Sequence, residues 1–269
     1  NEVPNLNNPA ETNIPSVIPN IYKLKKRRNK CIPKSNIDIP KSGDVSRIAG
    51  IKPIRALTRA VNTKEIIIQL NPNTNILVTG ASRGIGEGLS RRLASIGGNV
   101  IMISRNAVRL KEISKEINKM GFNASYYDCD ITDFIKIKKI IGGLDGLDIL
   151  INNASSNIIK PFIEYDENEF DYLLNLNVKA YFMVTQCAVK KMLENKNIKS
   201  RGASVINISS IMGKVSPPIK TPRPQSIYTI TKHAVEGLTK SLSVELAPHN
   251  IRVNSVCPTY VNTSLVKKT

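Results

Sequence analysis

Tryptophan is absent from the chain, histidine occurs twice, cysteine four times, and aromatic residues make up only 5% of its 269 positions. Each scarcity removes a class of chemistry. His233 and His249 are too few for a histidine metal cage or a histidine-based triad. Cys31, Cys129, Cys187 and Cys257 show neither Cys-x-x-Cys nor Cys/His ligand spacing, so this usage predicts idle or buried thiols rather than a zinc module or a disulfide framework. No apolar run approaches the roughly 20 residues needed to span a bilayer, and no secretory apolar stretch opens the sequence. The expectation is no membrane partner and a cytoplasmic location, with organellar import by a basic N-terminal extension left open.

Acidic residues are also in short supply. There are 21 Asp/Glu against 39 Lys/Arg, a net charge of +18. Residues 1–75 hold 13 of the basic and 5 of the acidic residues, so the excess is spread over the whole length. It suits an anionic ligand and carries no information about fold.

What is present divides into two parts. Residues 1–73 are rich in Asn and Pro, with prolines at 4, 9, 15, 19, 33 and 40 that forbid a long helix or a central strand. They also carry the basic run Lys23-Leu24-Lys25-Lys26-Arg27-Arg28. We read this part as a poorly ordered extension whose charge cluster is solvated, and nucleic acid is not expected as a partner. Residues 54–70 are expected to give a short helix and an apolar stretch docking on the domain beyond them. The chain begins with Asn and not Met, as a fragment or processed form would.

From Asn75 onward apolar runs of strand length alternate with amphipathic helical stretches, the pattern of a parallel α/β sheet. Strands are expected at 75–80, 99–104, 124–128, 147–152, 203–209 and 251–256. Helices are expected at 84–96, 107–120, 132–141, 167–194 and 227–246. This predicts one Rossmann-type doubly wound domain over 74–269, with its ligand at the carboxyl ends of the strands.

The first strand runs into Thr79-Gly80-Ala81-Ser82-Arg83-Gly84-Ile85-Gly86. Glycines there permit a tight turn and close backbone approach, and the next helix offers free N–H groups to a pyrophosphate. Ser104-Arg105 ends the second strand, where a NAD site would place an acid. An arginine there, with Arg83 in the glycine turn, favours a 2′-phosphate and hence NADP(H). Asp130 after the third strand is a candidate for the adenine amino group. Asn152-Asn153-Ala154 after the fourth offers side-chain amides to the sheet edge and the cofactor.

Tyr228 and Lys232 are four residues apart on one helix and so share a face. A free phenol titrates near about 10, so a shift of roughly three units needs about 4 kcal/mol, part of which a neighbouring ammonium supplies. By itself Tyr-x-x-x-Lys describes many half-buried rings beside solvated amines. Its weight comes from the motifs that precede it.

Taken in order, Thr79–Gly86, Asp130, Asn152–Ala154, Asn177, Ser209-Ser210, Tyr228…Lys232 and Pro258-Thr259-Tyr260-Val261-Asn262-Thr263 resemble the short-chain dehydrogenase/reductase family over residues 75–269. Within it, Lys160–Glu164, Glu245–Asn254 and Pro258–Ser264 look most like L-xylulose (dicarbonyl) reductases, with NADP-dependent carbonyl reductases next. The resemblance implies a small carbonyl substrate and a homo-oligomer. Tyr228 is then the general acid, Lys232 lowers its pKa and holds the nicotinamide ribose, and Ser210 hydrogen-bonds the substrate oxygen. Asn177 anchors a proton-relay water. Gly80, Ser82, Arg83, Gly84, Ile85, Gly86, Ser104, Arg105, Asp130, Asn153, Ala154, Pro258, Val261 and Thr263 contact the cofactor.

Three departures accompany the resemblance. Ser155 stands where the family commonly has glycine. The interval between Ser210 and Tyr228 is long, with prolines at 217, 218, 222 and 224. The sequence stops at Thr269, where family members continue with a substrate-covering helix pair and a seventh strand, so a truncated sequence is expected. The alternatives are an inactive cofactor-binding scaffold, which these departures leave open, or another short-chain reductase specificity for a retinal, 3-oxoacyl or steroid substrate.

Overall fold

The computed structural model describes residue 70, residues 74–216, residues 224–259 and residue 261. The extension other than Leu70, the expected helix over 54–70, the proline-rich segment 217–223 and Thr263 lie outside the described residues.

Strand β1 (Asn75–Thr79) leads through the glycine turn into helix α1 (Gly84–Ser95), and β2 (Asn99–Ser104) into α2 (Ala107–Lys119). The pattern repeats through β3 (Ala124–Asp128), α3 (Phe134–Gly142) and β4 (Ile149–Asn152). A helical run of α4 (Glu167–Leu174), a π-turn (Asn175–Lys179) and α5 (Ala180–Leu193) comes next. The short α6 (Ile198–Arg201), β5 (Ala203–Ile208), α7 (Ser226–Glu245) and β6 (Ile251–Val256) complete the order. The six strands form one parallel sheet in the order β3-β2-β1-β4-β5-β6.

Strands covered on both faces read as continuous apolar runs, which is why β1 and β2 are almost wholly buried. Side chains alternate between the faces. Leu77, Ile103, Leu150 and Val205 pack with Ile137 and Ile141 of α3 and with Val184, Ala188 and Met192 of α5. Ile76, Val78, Val100 and Met102 point the other way, onto Ala94 of α1 and Leu110, Ile113 and Ile117 of α2. Leu70 joins this second layer, its N–H donating to Ile96 O at 2.7 Å. The edge strand β3 keeps most of its residues at the surface.

One element departs from expectation. The stretch 167–194 is not one regular helix, because the π-turn inserts an extra residue into the ladder at Asn175–Lys179. The wider turn drives Asn177, fully buried, inward. Its Oδ1 accepts from Ser156 N at 3.0 Å, and its Nδ2 donates to Ser156 O at 2.9 Å and to Thr231 Oγ1 at 3.2 Å. These side-chain bonds offset the disturbed backbone ladder and tie the loop after β4 to α7.

The strand order reverses between β1 and β4. The loops leaving β1 and β2 go one way and those leaving β4 and β5 the other, which opens a crevice at the carboxyl edge.

Candidate active site

A cleft of about 880 Å³ occupies that crevice, within the usual range for small-molecule sites. Its floor begins with the glycine turn. Gly80 and Gly84 adopt φ of 64° and 57°, which a side chain resists. A Cβ on Gly80 would lie 2.7 Å from Ala154 Cα, and one on Gly86 would strike Gly80 O and Asn153 Nδ2. Gly86 is thus buried beneath the turn, while Gly80, Ser82, Arg83, Gly84 and Ile85 line the cleft. No side chain caps the start of α1, so its first N–H groups stay available to an anion.

The loop after β4 is stitched to this turn. Asn153 Nδ2 donates to Thr79 O at 2.9 Å and Gly80 O at 3.2 Å. Thr79 Oγ1 accepts from Asn153 N and Ala154 N. Asn152 reaches sideways instead, to Thr185 Oγ1 at 2.8 Å and Asn207 Oδ1 at 2.9 Å, locking β4 to β5 and α5. Asn153 and Ala154 therefore line the cleft and Asn152 supports it.

At the β2 end the hydroxyls of Ser82 and Ser104 are 2.7 Å apart. The arginines next to them in the chain, Arg83 and Arg105, are both exposed at the cleft lining. Arg105 also meets Asp130 at 3.4 Å. Asp130 Oδ1 accepts from the N–H and the hydroxyl of Thr132. Its carboxyl is held below the ordinary value because these bonds and Arg105 outweigh its partial burial.

Ser210, Tyr228, Pro258 and Val261 line the same cleft at the β5 and β6 ends. Ser210 Oγ accepts from Met212 N at 3.2 Å and shares the cleft lining with the Tyr228 phenol. Lys232 lies beneath them, 1% exposed. Its Nζ donates to Ile208 O at 2.9 Å and sits 5.4 Å from the Tyr228 ring centre and 5.5 Å from that of Tyr181. Burial pulls its pKa down to about 7.

Tyr228 departs from its expected titration. Burial pushes the phenol above its ordinary value, with the Ser210 side chain pulling the other way. Desolvation of the phenolate is the larger effect. Asn177 has both amide hydrogens engaged by protein groups. Tyr181 and Glu236, which crowd the lysine, were not visible in the sequence. Glu236 at four residues beyond Lys232 is the one whose spacing could have flagged it.

A family model described as short chain dehydrogenase matches residues 74–269. A chloroplastic tropinone reductase homolog of Arabidopsis thaliana is 35% identical over 197 residues, covering 71% of this chain, which spans 58% of that relative's length. Carbonyl reductase (NADPH) 2 of Sus scrofa is 33% identical over 189 residues, covering 70% of this chain and 72% of that protein. The chain belongs to the short-chain dehydrogenase family. Among solved structures, a short chain dehydrogenase from Burkholderia cenocepacia in complex with NADP aligns with a TM-score of 0.65 at 28% identity, over 74% of this chain and 77% of that one.

Seen as a short-chain dehydrogenase site, the cleft fits a dinucleotide. The turn whose glycines exclude any Cβ, the uncapped start of α1 and the two arginines beside Ser82 and Ser104 offer groups for a pyrophosphate and a further phosphate. Among the described residues no helix is long and apolar enough to cross a membrane, and no cluster of His, Cys, Asp and Glu could hold a metal ion.

Proposed function

We propose that this chain is an NADPH-dependent reductase of a small carbonyl compound, such as L-xylulose, an α-dicarbonyl or a similar ketone or aldehyde. The observation that carries the reading is the placement of Ser210 and Tyr228 together on the cleft wall, with the Lys232 amine buried 5.4 Å from the phenol ring.

When bound, NADPH supplies the hydride that the carbonyl carbon receives. Tyr228 delivers its phenolic proton to the carbonyl oxygen, and takes it back in the reverse direction. Ser210 donates to the same oxygen as charge grows there. Lys232, buried beneath the cleft wall, favours the phenolate by its positive charge and would hold the nicotinamide ribose once NADPH is bound. Asn177 keeps the loop at Ser156 and helix α7 at Thr231 in register, so that Tyr228 faces the cleft.

The preference for NADPH rests on Arg83 and Arg105, two exposed cations of the cleft lining that would meet a ribose 2′-phosphate. Ser82, the glycine turn and the start of α1 would hold the pyrophosphate, and Asp130 pairs with Arg105 beside the place an adenine would take. The Sus scrofa relative, named for its use of NADPH, supports the same choice.

Turnover of L-xylulose or diacetyl by the full chain, followed through consumption of NADPH, tests the proposal. Binding of NADPH without turnover of any small carbonyl would replace it with an inactive cofactor-binding scaffold.

A further inference from the structure

Glu236 lies one turn beyond Lys232 on α7 and is 5% exposed. A carboxylate at that depth costs several kcal/mol unless it is paired and hydrogen-bonded. Here the partners come from three other segments. Lys214, just after the turn at the end of β5, bonds Oε2. Ser255 Oγ, in β6, donates to the same oxygen at 3.0 Å. Cys257 Sγ, next to Pro258, donates to Oε1 at 3.3 Å. Ser209, just after β5, lies against this cluster and donates its hydroxyl to Lys232 O at 3.4 Å.

The junction is built tightly. A Cβ on Gly213 would fall 2.7 Å from Ser209 Oγ, 2.8 Å from Lys232 O and 3.1 Å from Glu236 Cγ. The segment between Ser209 and Lys214 carries Ser210. The segment beginning at Cys257 carries Pro258. Helix α7 carries Tyr228 and Lys232. One buried carboxylate therefore joins all three walls of the reacting end of the cleft.

We propose that Glu236 is the positioning residue of this site: it clamps the segments bearing Ser210 and Pro258 onto α7 and holds the charge on Lys232 one turn away. The inference rests on the reading of Tyr228 and Lys232 as the reacting pair.

Several groups face the Lys232 amine. Tyr228 and Glu236 come from its own helix, Tyr181 from α5, the Ile208 carbonyl from β5 and Cys257 from beyond β6. Asn177 of the π-turn is neutral and bonded to Thr231. Burial and the adjacent Glu236 carboxylate push the Cys257 thiol up, and burial pushes both phenols up, so these three are uncharged near neutrality. Cys257 and Glu236 are the two groups that raise the amine's pKa against burial, and with the thiol protonated near neutrality Glu236 is the one that carries a charge. Lys214, beyond Glu236, opposes it.

The test is a titration of Lys232 in the full chain by NMR of carbon-13-labelled lysine, with Lys232→Met assigning the signal. Glu236→Gln keeps the volume and removes the charge. Lys214→Met removes a half-exposed cation while leaving Glu236 ionised. The expected result is opposite shifts: the Lys232 midpoint falls by about one unit in Glu236→Gln and rises in Lys214→Met. In turnover, kcat of Glu236→Gln falls about 10- to 100-fold with little change in the KM of the carbonyl substrate, the basic limb of its pH profile moves down, and Glu236→Asp recovers part of the loss.

A midpoint that stays put in both variants, or moves the same way in both, overturns the proposal. Should Glu236→Gln fail to fold, an unmoved midpoint in Lys214→Met overturns it alone. If the midpoints shift as expected while no variant turns over any carbonyl, the hold of Glu236 on Lys232 stands and only the reductase reading falls.

Discussion

The Lys232 ammonium and the Tyr181 hydroxyl donate to one acceptor, the carbonyl of Ile208, at 2.9 and 3.2 Å. Removing the lysine therefore leaves no orphaned carbonyl. It does remove a charge that is costly to bury.

Lys232→Met is accordingly expected to stabilise the chain while abolishing turnover. The folded lysine titrates near 7 instead of 10.5. Below about pH 7 folding must bury the ammonium and the penalty is complete. It fades as pH rises from 7 to 10.5 and is gone above that. The shift from 10.5 to about 7 sets an upper limit of about 5 kcal/mol on the relief, so at pH 7 the melting temperature should rise by several degrees, with the gain vanishing near pH 11. Scanning calorimetry at the two pH values checks it, and an equal gain at both would refute the burial argument.

Two glycines make a contrasting pair. Gly80→Ala forces a side chain onto positive φ and into Ala154, so a loss of about 2–4 kcal/mol and of cofactor binding is expected. Gly88 sits in the interior of α1 with nothing within 4 Å of an added Cβ. Gly88→Ala should gain about 0.5–1 kcal/mol in urea unfolding and leave binding untouched.

Arg105→Glu places an acid where the 2′-phosphate reading needs a cation. Fluorescence titration should show NADPH affinity falling about 10- to 100-fold and NADH affinity holding within a few-fold. Equal losses for both cofactors would count against the assignment of Arg105 to the 2′-phosphate.

Acid should act through Glu236. Its folded pKa is held down to about 2 against an ordinary 4.5 by Lys214, Ser209, Ser255 and Cys257. That contribution, on the order of 3 kcal/mol, is complete above about pH 4.5 and disappears as pH falls toward 2. Glu236→Gln should consequently cost stability at pH 7 and almost none at pH 2. Urea unfolding at both values decides it, and a deficit of the same size at each would point to packing and not charge.

The sheet was legible because its central strands, buried on both faces, appear as short apolar runs, and its half-exposed edge strands β3 and β6 fall in the same alternation with helices. The ranges expected for β2, β3 and β6 are those found. The π-turn at Asn175–Lys179 was not legible, since it goes together with Asn177 bonds to Ser156 and Thr231, far away in sequence. The spacing of Tyr228 and Lys232 placed both on α7, yet spacing carries no information on burial. The phenol's upward shift and the lysine's downward one therefore had to come from coordinates. The clamp on Glu236 was hidden for a related reason. Lys214, Ser255 and Cys257 meet it only because β5 and β6 end side by side.

The most direct test of the central claim compares the full chain with Tyr228→Phe, using NADPH with L-xylulose and diacetyl and following nicotinamide absorbance. The account predicts a wild-type rate that falls about 100- to 10,000-fold in the variant, while NADPH affinity by fluorescence stays within a few-fold. A Tyr228→Phe variant that retains the wild-type rate would contradict it.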